Sequence, residues 1–313
     1  MRTVVLAGGV GGAKLAHGLQ QVLPPGDLTV IVNTGDDLEL HGLLVMPDHD
    51  TVMYTLAGLA DPAQGWGLAG ETYVAAGMLA RYGQPTWFRL GDGDLATHVV
   101  RTSCLRDGQR LTEVCLGLQA ALGLSTRVLP MSDEPVRTRV RTDDGWLDFQ
   151  DYFVRLHQAP EVREVRFEGI ASASATPESL AAVDDARLLV LAPSNPFVSL
   201  EPIVAVPGMR PALQAARQRG VPVVAVSPIV GGRALKGPAD RMLRSLGLEA
   251  SAAAVAQRYA GLIDAYVIDD VDRDEAPRVA ALDLRVLVTD TVMVDEAARA
   301  RLARATVEFA AAP

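Results

Sequence analysis

Glycines and carboxylates cluster early in the chain, at spacings that suit an anionic ligand and a hard cation. Gly8-Gly9-Val10-Gly11-Gly12 is followed closely by Lys14. Glycines let the backbone come close to a ligand, and the free N–H groups that open a helix attract an anion. The spacing is neither that of a Walker loop nor that of a dinucleotide fingerprint. It reads as a phosphate-contacting turn, with a plain strand-to-helix turn as the simpler alternative. Asn33-Thr34-Gly35-Asp36-Asp37 then places two adjacent acids after a glycine, and Pro47-Asp48-His49-Asp50-Thr51 adds two more. A dinucleotide enzyme would use one acid here for a ribose hydroxyl. Carboxylates gathered near a phosphate loop instead favour Mg²⁺, which takes one or two carboxylates plus phosphate oxygens. Asp36 and Asp50 are the expected ligands, with Asp37 and Asp48 as helpers; Asp48 or Asp50 could instead cap the helix that follows.

A second polar segment, Gly91-Asp92-Gly93-Asp94-Leu95-Ala96-Thr97-His98, comes just after Trp87-Phe88-Arg89. An arginine beside two aromatics suits a planar, anionic aromatic ligand, which it can pair with while rings stack. The alternative is two core aromatics and a surface arginine. His98 offers a general base, or a helix-face histidine satisfied by a nearby acid. His17, His41 and His49 lack zinc-site spacing. Two late turns, Ala192-Pro193-Ser194-Asn195-Pro196 and Ser227-Pro228-Ile229-Val230-Gly231-Gly232, present short polar groups. Ser194, Asn195 and Ser227 suit a phosphate or a nucleobase edge, or simply cap the next helix. Lys14 and Lys236 are the only lysines in the chain.

These groups need a scaffold. Residues 3–7 and 28–33 read as buried parallel strands around a helix at 13–23, a right-handed βαβ unit. The same grammar returns with strands at 187–192, 221–226, 265–268 and 285–288 and a helix at 211–219. Between the two halves, 54–124 is alanine- and leucine-rich and helical, and 136–170 is β-like. The expected fold is α/β: a doubly wound, mainly parallel sheet with a largely helical insertion and a small β-rich segment. One domain would span 1–313, its core at about 1–53 and 180–313 and its insertion at about 54–179. Ligands in such sheets lie beyond the carboxyl ends of the strands, where the turns above fall.

A net charge of −9 without a basic stretch argues against a nucleic-acid surface. No apolar run approaches the ~18 residues of a membrane helix, and the N-terminal stretch lacks signal-peptide features. A cytoplasmic protein is expected. Cys104 and Cys115, with no metal-ligand pattern around them, read as reduced thiols.

Seven segments in order resemble one known family: GGVGGAKLAHGL from Gly8, NTGDD from Asn33, HGLLVMPDHDTVMYTLAG from His41, GWGLAGET from Gly65, RLGDGDLATHVVR from Arg89, APSNPFVSL from Ala192 and SPIVGGRALKGPAD from Ser227. The chain resembles the 2-phospho-L-lactate transferases of deazaflavin coenzyme F-420 biosynthesis. The resemblance implies a Rossmann-like core with inserted helices, a homodimer and a need for Mg²⁺. It implies transfer of a phosphorylated three-carbon acid from a guanosine diphosphate carrier to 7,8-didemethyl-8-hydroxy-5-deazariboflavin (Fo), releasing GMP. It places Asp50 and Arg89 at the deazaflavin. Combined with the residues above, Asp50 would also orient the attacking hydroxyl, and Arg89 with Trp66 or Trp87 would engage the ring. Gly8, Gly9, Gly11, Gly12, Lys14, Ser194, Asn195 and Ser227 would hold the nucleotide. Two other classes compete: a nicotinamide oxidoreductase, which the glycine turn superficially suits, and a non-catalytic nucleotide-binding module.

Overall fold

The computed structural model describes every residue except Pro313. Seven short strands, β1 (Thr3–Ala7), β2 (Leu28–Val32), β3 (Arg127–Pro130), β4 (Leu188–Leu191), β5 (Val223–Val226), β6 (Ala265–Ile268) and β7 (Arg285–Val288), form one sheet. They lie side by side as β7-β6-β5-β4-β1-β2-β3, and every pairing is parallel. This is the doubly wound arrangement expected, and its strand order reverses between β1 and β4. There Val5 sits opposite Val30 of β2 on one side and Val190 of β4 on the other.

Alternation along the strands divides the core into two layers. Val4, Leu6, Ile31, Leu189 and Leu191 point to one side, packed with Met209 and Leu213 of the helix Met209–Gln218. Val5, Val30, Val32, Val190 and Val224 point to the other. That second side is covered by α1 (Gly9–Val22), through Leu15 and Leu19, and by the C-terminal helix Glu296–Ala311, through Leu302 and Ala303. Burying each such leucine is worth roughly 1.5–3 kcal/mol.

Helix α1 begins at Gly9 rather than near 13, so the glycines form its cap and first turn. Backbone geometry demands glycine most directly at Gly9 and Gly11. Gly9 has φ +63°, a conformation L side chains rarely adopt. At Gly11 an added Cβ would lie 2.4 Å from the Pro193 carbonyl oxygen. The turns after β1 and β4 therefore touch. The Ser194 hydroxyl locks them together, donating to Gly8 O at 2.7 Å and accepting from Gly8 N–H at 3.1 Å.

The segment 54–179 departs from a simple insertion, because it supplies β3 to the central sheet. Helix α2 (Pro47–Leu56) also runs past residue 53 and packs on α1. Beyond it come α3 (Val74–Arg81), α4 (Asp92–Arg106) and α5 (Leu111–Ala121). Helices α3 and α4 exchange caps. Glu71, before α3, accepts from Gly93 and Asp94 N–H at the start of α4. Asp92 of α4 accepts from Val74 and Ala75 N–H at the start of α3. The β-rich segment is a three-stranded antiparallel sheet of Arg137–Thr142, Gly145–Asp148 and Glu164–Glu168. Among the described residues no helix is long and apolar enough to cross a membrane.

Two glycine substitutions should part ways in thermal unfolding. Gly11→Ala should cost ~1–3 kcal/mol, because the Pro193 backbone cannot yield without disturbing the β1–β4 contact. Gly117→Ala, in α5 with open space around its Cβ, should stabilise by about 0.5–1 kcal/mol through the unfolded chain. Equal melting shifts for both would remove the close-contact argument.

Candidate active site

Beyond the carboxyl ends of the strands lies a cleft of about 340 Å³. The turn after β1 lines it with Gly8, Gly9 and Gly11, and the turn after β4 lines it with Ser194 and Asn195. Asp36 enters from the turn after β2, and Asp48 and Asp50 from the first turn of α2. Trp66, Phe88 and Arg89 form the far wall, and Phe149, Gln150 and Phe153 come from the β-rich segment. A second cleft, of about 260 Å³, holds Lys14, Ser227, Thr291 and Met293. Val10, Gly11, Pro193, Asn195 and Lys236 border both.

Neither acid of α2 caps that helix: the cap position is Met46, and Pro47 opens the first turn. Both acids sit inside the turn, where the helix dipole favours negative charge. Asp48 reaches across to α1, accepting from Gly9 N–H at 2.8 Å through Oδ1. Its Oδ2 accepts from Asn33 Nδ2 at 3.0 Å, and Asn33 Oδ1 accepts from Gly35 N–H at 2.8 Å. The position where a dinucleotide fold carries its ribose-binding acid thus holds an asparagine committed to the protein.

Asp36 is buried nearby, and its Oδ1 has no hydrogen-bond partner among the described residues. Burial pushes its carboxyl well above the ordinary range, and the Asp48 carboxylate pushes it further. Burial likewise raises Asp48. Two buried acids that oppose each other's ionisation, one with an unbonded oxygen, are what a divalent cation relieves. Asp37 is also buried but does not line the cleft.

Asp50 has a different environment. Arg101, fully buried on α4, donates Nη1 to Asp50 Oδ2 at 3.0 Å and Nη2 to Asp50 Oδ1. His49 Nδ1 and His98 Nδ1 lie 3.6 and 3.7 Å from the same carboxylate. Although burial works the other way, Arg101 and the two histidines hold the Asp50 carboxyl well below its usual value. A carboxylate so bound is ionised and a poor base, and each oxygen keeps a lone pair for a hydroxyl or a cation. Asp50, Asp94 and His98 bring three ligand atoms within 4.8 Å of one another. The Arg101 charge beside Asp50 and the imidazole donor both disfavour Mg²⁺ there. Tyr54 closes the group, its hydroxyl donating to Asp94 Oδ1 at 2.8 Å.

Several expected ligand contacts take other forms. Lys14 Nζ donates to Met293 O at 2.9 Å, within the second cleft. Asn195 Oδ1 accepts from Phe197 N–H at 2.9 Å, and the Ser227 hydroxyl bonds the Ile229 backbone, so both shape their own turns. Ser227 still borders the second cleft, whereas Gly12 packs against Ser194 and Ala7. The Arg89 guanidinium lies 3.5 Å from the ring centroid of Tyr73, rather than on Trp66 or Trp87. Trp66 does line the cleft; Trp87 meets Phe88 edge-on at 5.8 Å, and it is Phe88 that faces the cavity.

Residues 3–308 match the family model described as 2-phospho-L-lactate transferase CofD. The chain belongs to this family. It is 46% identical to a phosphoenolpyruvate transferase from Streptomyces griseus, covering 99% of this chain and 98% of that one. It is 36% identical to a 2-phospho-L-lactate transferase from Methanosarcina mazei, covering 97% and 99%. A UPF0052 family member from Bacillus halodurans superposes with a TM-score of 0.65 at 15% identity, covering 97% and 98%, which speaks to the fold alone. The resemblance carried by the seven segments is thus borne out, and the family is one of transferases of small phosphorylated acids.

Arg101 and Asn33 escaped the reading of the sequence as site residues. The one signal for Arg101 was its spacing: Asp94, His98 and Arg101 fall on one face of a helix. Replacing Arg101 by Met should cost ~3–5 kcal/mol, because Asp50 is left buried without its partner. Adding Asp50→Leu should recover much of that stability. Melting shifts that simply add would show the pair to be uncoupled.

Proposed function

We propose that this chain transfers a phosphoenolpyruvyl group from a guanosine diphosphate carrier to the ribityl hydroxyl of Fo, releasing GMP. The observation that carries this reading is the meeting of two unlike clefts at the glycine turn. One has aromatic walls and an arginine at its far end, suited to a flat heteroaromatic ring. The other holds a lysine and short polar turns, suited to a nucleotide. Phosphoenolpyruvate is chosen because relatives bearing that name are more similar over the full chain than the one named for phospholactate.

In the reaction, the ribityl oxygen forms a bond to the phosphorus carrying the acid. The bond from that phosphorus to the bridging oxygen breaks, GMP keeps that oxygen and its electron pair, and the hydroxyl proton passes to water. Transfers of this kind depend mainly on alignment and on neutralising oxygen charge. Asp50 accepts a hydrogen bond from the attacking hydroxyl and, clamped by Arg101, fixes its direction. The Gly8 and Gly9 N–H groups are taken by Ser194 and Asp48, so the N–H groups of Val10 and Gly11 in the first turn of α1 are the ones left to face the phosphates. Lys14 and the Ser227 turn border the nucleoside side. Arg89 and Trp66 hold the deazaflavin ring.

The donor set fits Mg²⁺ at Asp36, with Asp48 beside it, and leaves Asp50 to the acceptor. Bound there, Mg²⁺ would neutralise diphosphate oxygens. Two readouts separate these roles. Asp36→Asn should raise the Mg²⁺ concentration needed for half-maximal transfer; an unchanged requirement would sink the assignment. Arg89→Ala should raise KM for Fo on the order of tenfold with the KM for the carrier unmoved. Parallel rises in both would mark Arg89 as structural. The reaction itself is checked by mixing Fo, carrier and Mg²⁺, where GMP and phosphoenolpyruvyl-Fo should appear one for one. Mass spectrometry of the product made from the phospholactyl, phosphoenolpyruvyl and phosphoglyceryl carriers decides the acid.

A further inference from the structure

With two lysines in 313 residues, the placement of both is informative, and the two border the same cleft. Lys14 is engaged by the Met293 carbonyl. Lys236 follows the short strand Arg233–Ala234 and precedes the helix Ala239–Ser245. The next acid along the chain, Asp240, is taken by Arg244 at 2.7 Å. Among the described residues no acid lies within ion-pair distance of Lys236. An ammonium without a protein partner, at the seam of two clefts, is available to an anionic ligand.

Its position narrows which anion. Among the described residues Lys236 is the one Lys or Arg lining both clefts; Arg89 borders only the first and Lys14 only the second. On the reading proposed above, the reacting phosphorus lies at that seam. Three substituents then need room: the attacking hydroxyl from the aromatic cleft, GMP from the lysine cleft, and the three-carbon acid. The acid is the substituent left for the border between them, and its carboxylate is the charge there without an assigned partner.

We infer that Lys236 recognises the carboxylate of the transferred acid, making it a specificity-determining residue for 2-phospho-acids as a class. It reads the carboxylate that phospholactate, phosphoenolpyruvate and phosphoglycerate share, and does not distinguish their third carbons. This inference rests on the proposed transferase reaction. A lysine at this point admits a carboxylate-bearing phosphate and penalises the same carrier with its acid masked as an amide.

The test pairs Lys236→Ala with that masking. Wild type and variant are assayed with the phosphoenolpyruvyl carrier and with its carboxamide, and GMP is measured as a product inhibitor. The variant should lose roughly 10- to 100-fold in kcat/KM for the acid carrier, the range of a hydrogen bond to a charged group. The wild type should lose a similar factor on the carboxamide, and the variant on the carboxamide should lose no more. Inhibition by GMP and KM for Fo should stay as in wild type, and Lys236→Arg should recover part of the loss. Losses that multiply, or GMP inhibition weakened by the same factor as kcat/KM, would overturn the inference and place Lys236 on the nucleotide phosphates. A wild type that makes no GMP from any carrier would instead overturn the transferase reading, and this inference with it.

Discussion

A carboxylate removed from water must be held by hydrogen-bond donors, and the buried carboxylate of Asp48 is the contact through which the site is assembled. One oxygen takes the N–H of Gly9 at 2.8 Å and the other takes the amide of Asn33 at 3.0 Å. Three pieces of chain distant in sequence, the first turn of α1, the end of β2 and the first turn of α2, are thereby fixed to one another. The fit is close, since an added Cβ at Gly8 would fall 2.4 Å from Asp48 Oδ2. The Ser194 hydroxyl does the same for the turn after β4. With these contacts in place, the point where the strand order reverses presents a shaped surface rather than four independent loops.

Much of this frame was legible in the chain, for a physical reason. Strands buried on both faces read as unbroken apolar runs, and β1 and β6 fall where such runs predicted them, as does the half-buried edge strand β7. β3 was missed because it starts with an exposed arginine and ends in proline, leaving only Val128 and Leu129 between them as an apolar signal. An edge strand tolerates that composition. The glycines were read as a loop before a helix, yet they are its first turn. Close approach of Pro193, invisible in the sequence, is what calls for Gly11.

Within the site, residue types were easier to read than their partners. Aspartates after glycine and before a helix announced themselves. What could not be read was the division between Asp36 and Asp50, since that depends on Arg101, which lies 51 residues from Asp50 in sequence. A single arginine in a helix of mixed polarity looks like a solvated one until its partner is known. Lys14 is a parallel case, directed to a carbonyl 279 residues away. In both cases the decisive contact joins segments whose proximity only the folded sheet creates.

Helices α3 and α4, capping one another through Glu71 and Asp92, have a mechanical consequence. Neither helix start can come loose without uncapping the other, so the two helices are coupled at their first turns. The strip of chain bearing Phe88 and Arg89 is strung between them, and Arg89 is stacked back onto Tyr73 at the foot of α3. The aromatic end of the cleft is thus bordered by a strip held between two helices whose starts are tied together, and Tyr54 in turn ties the second of these to α2.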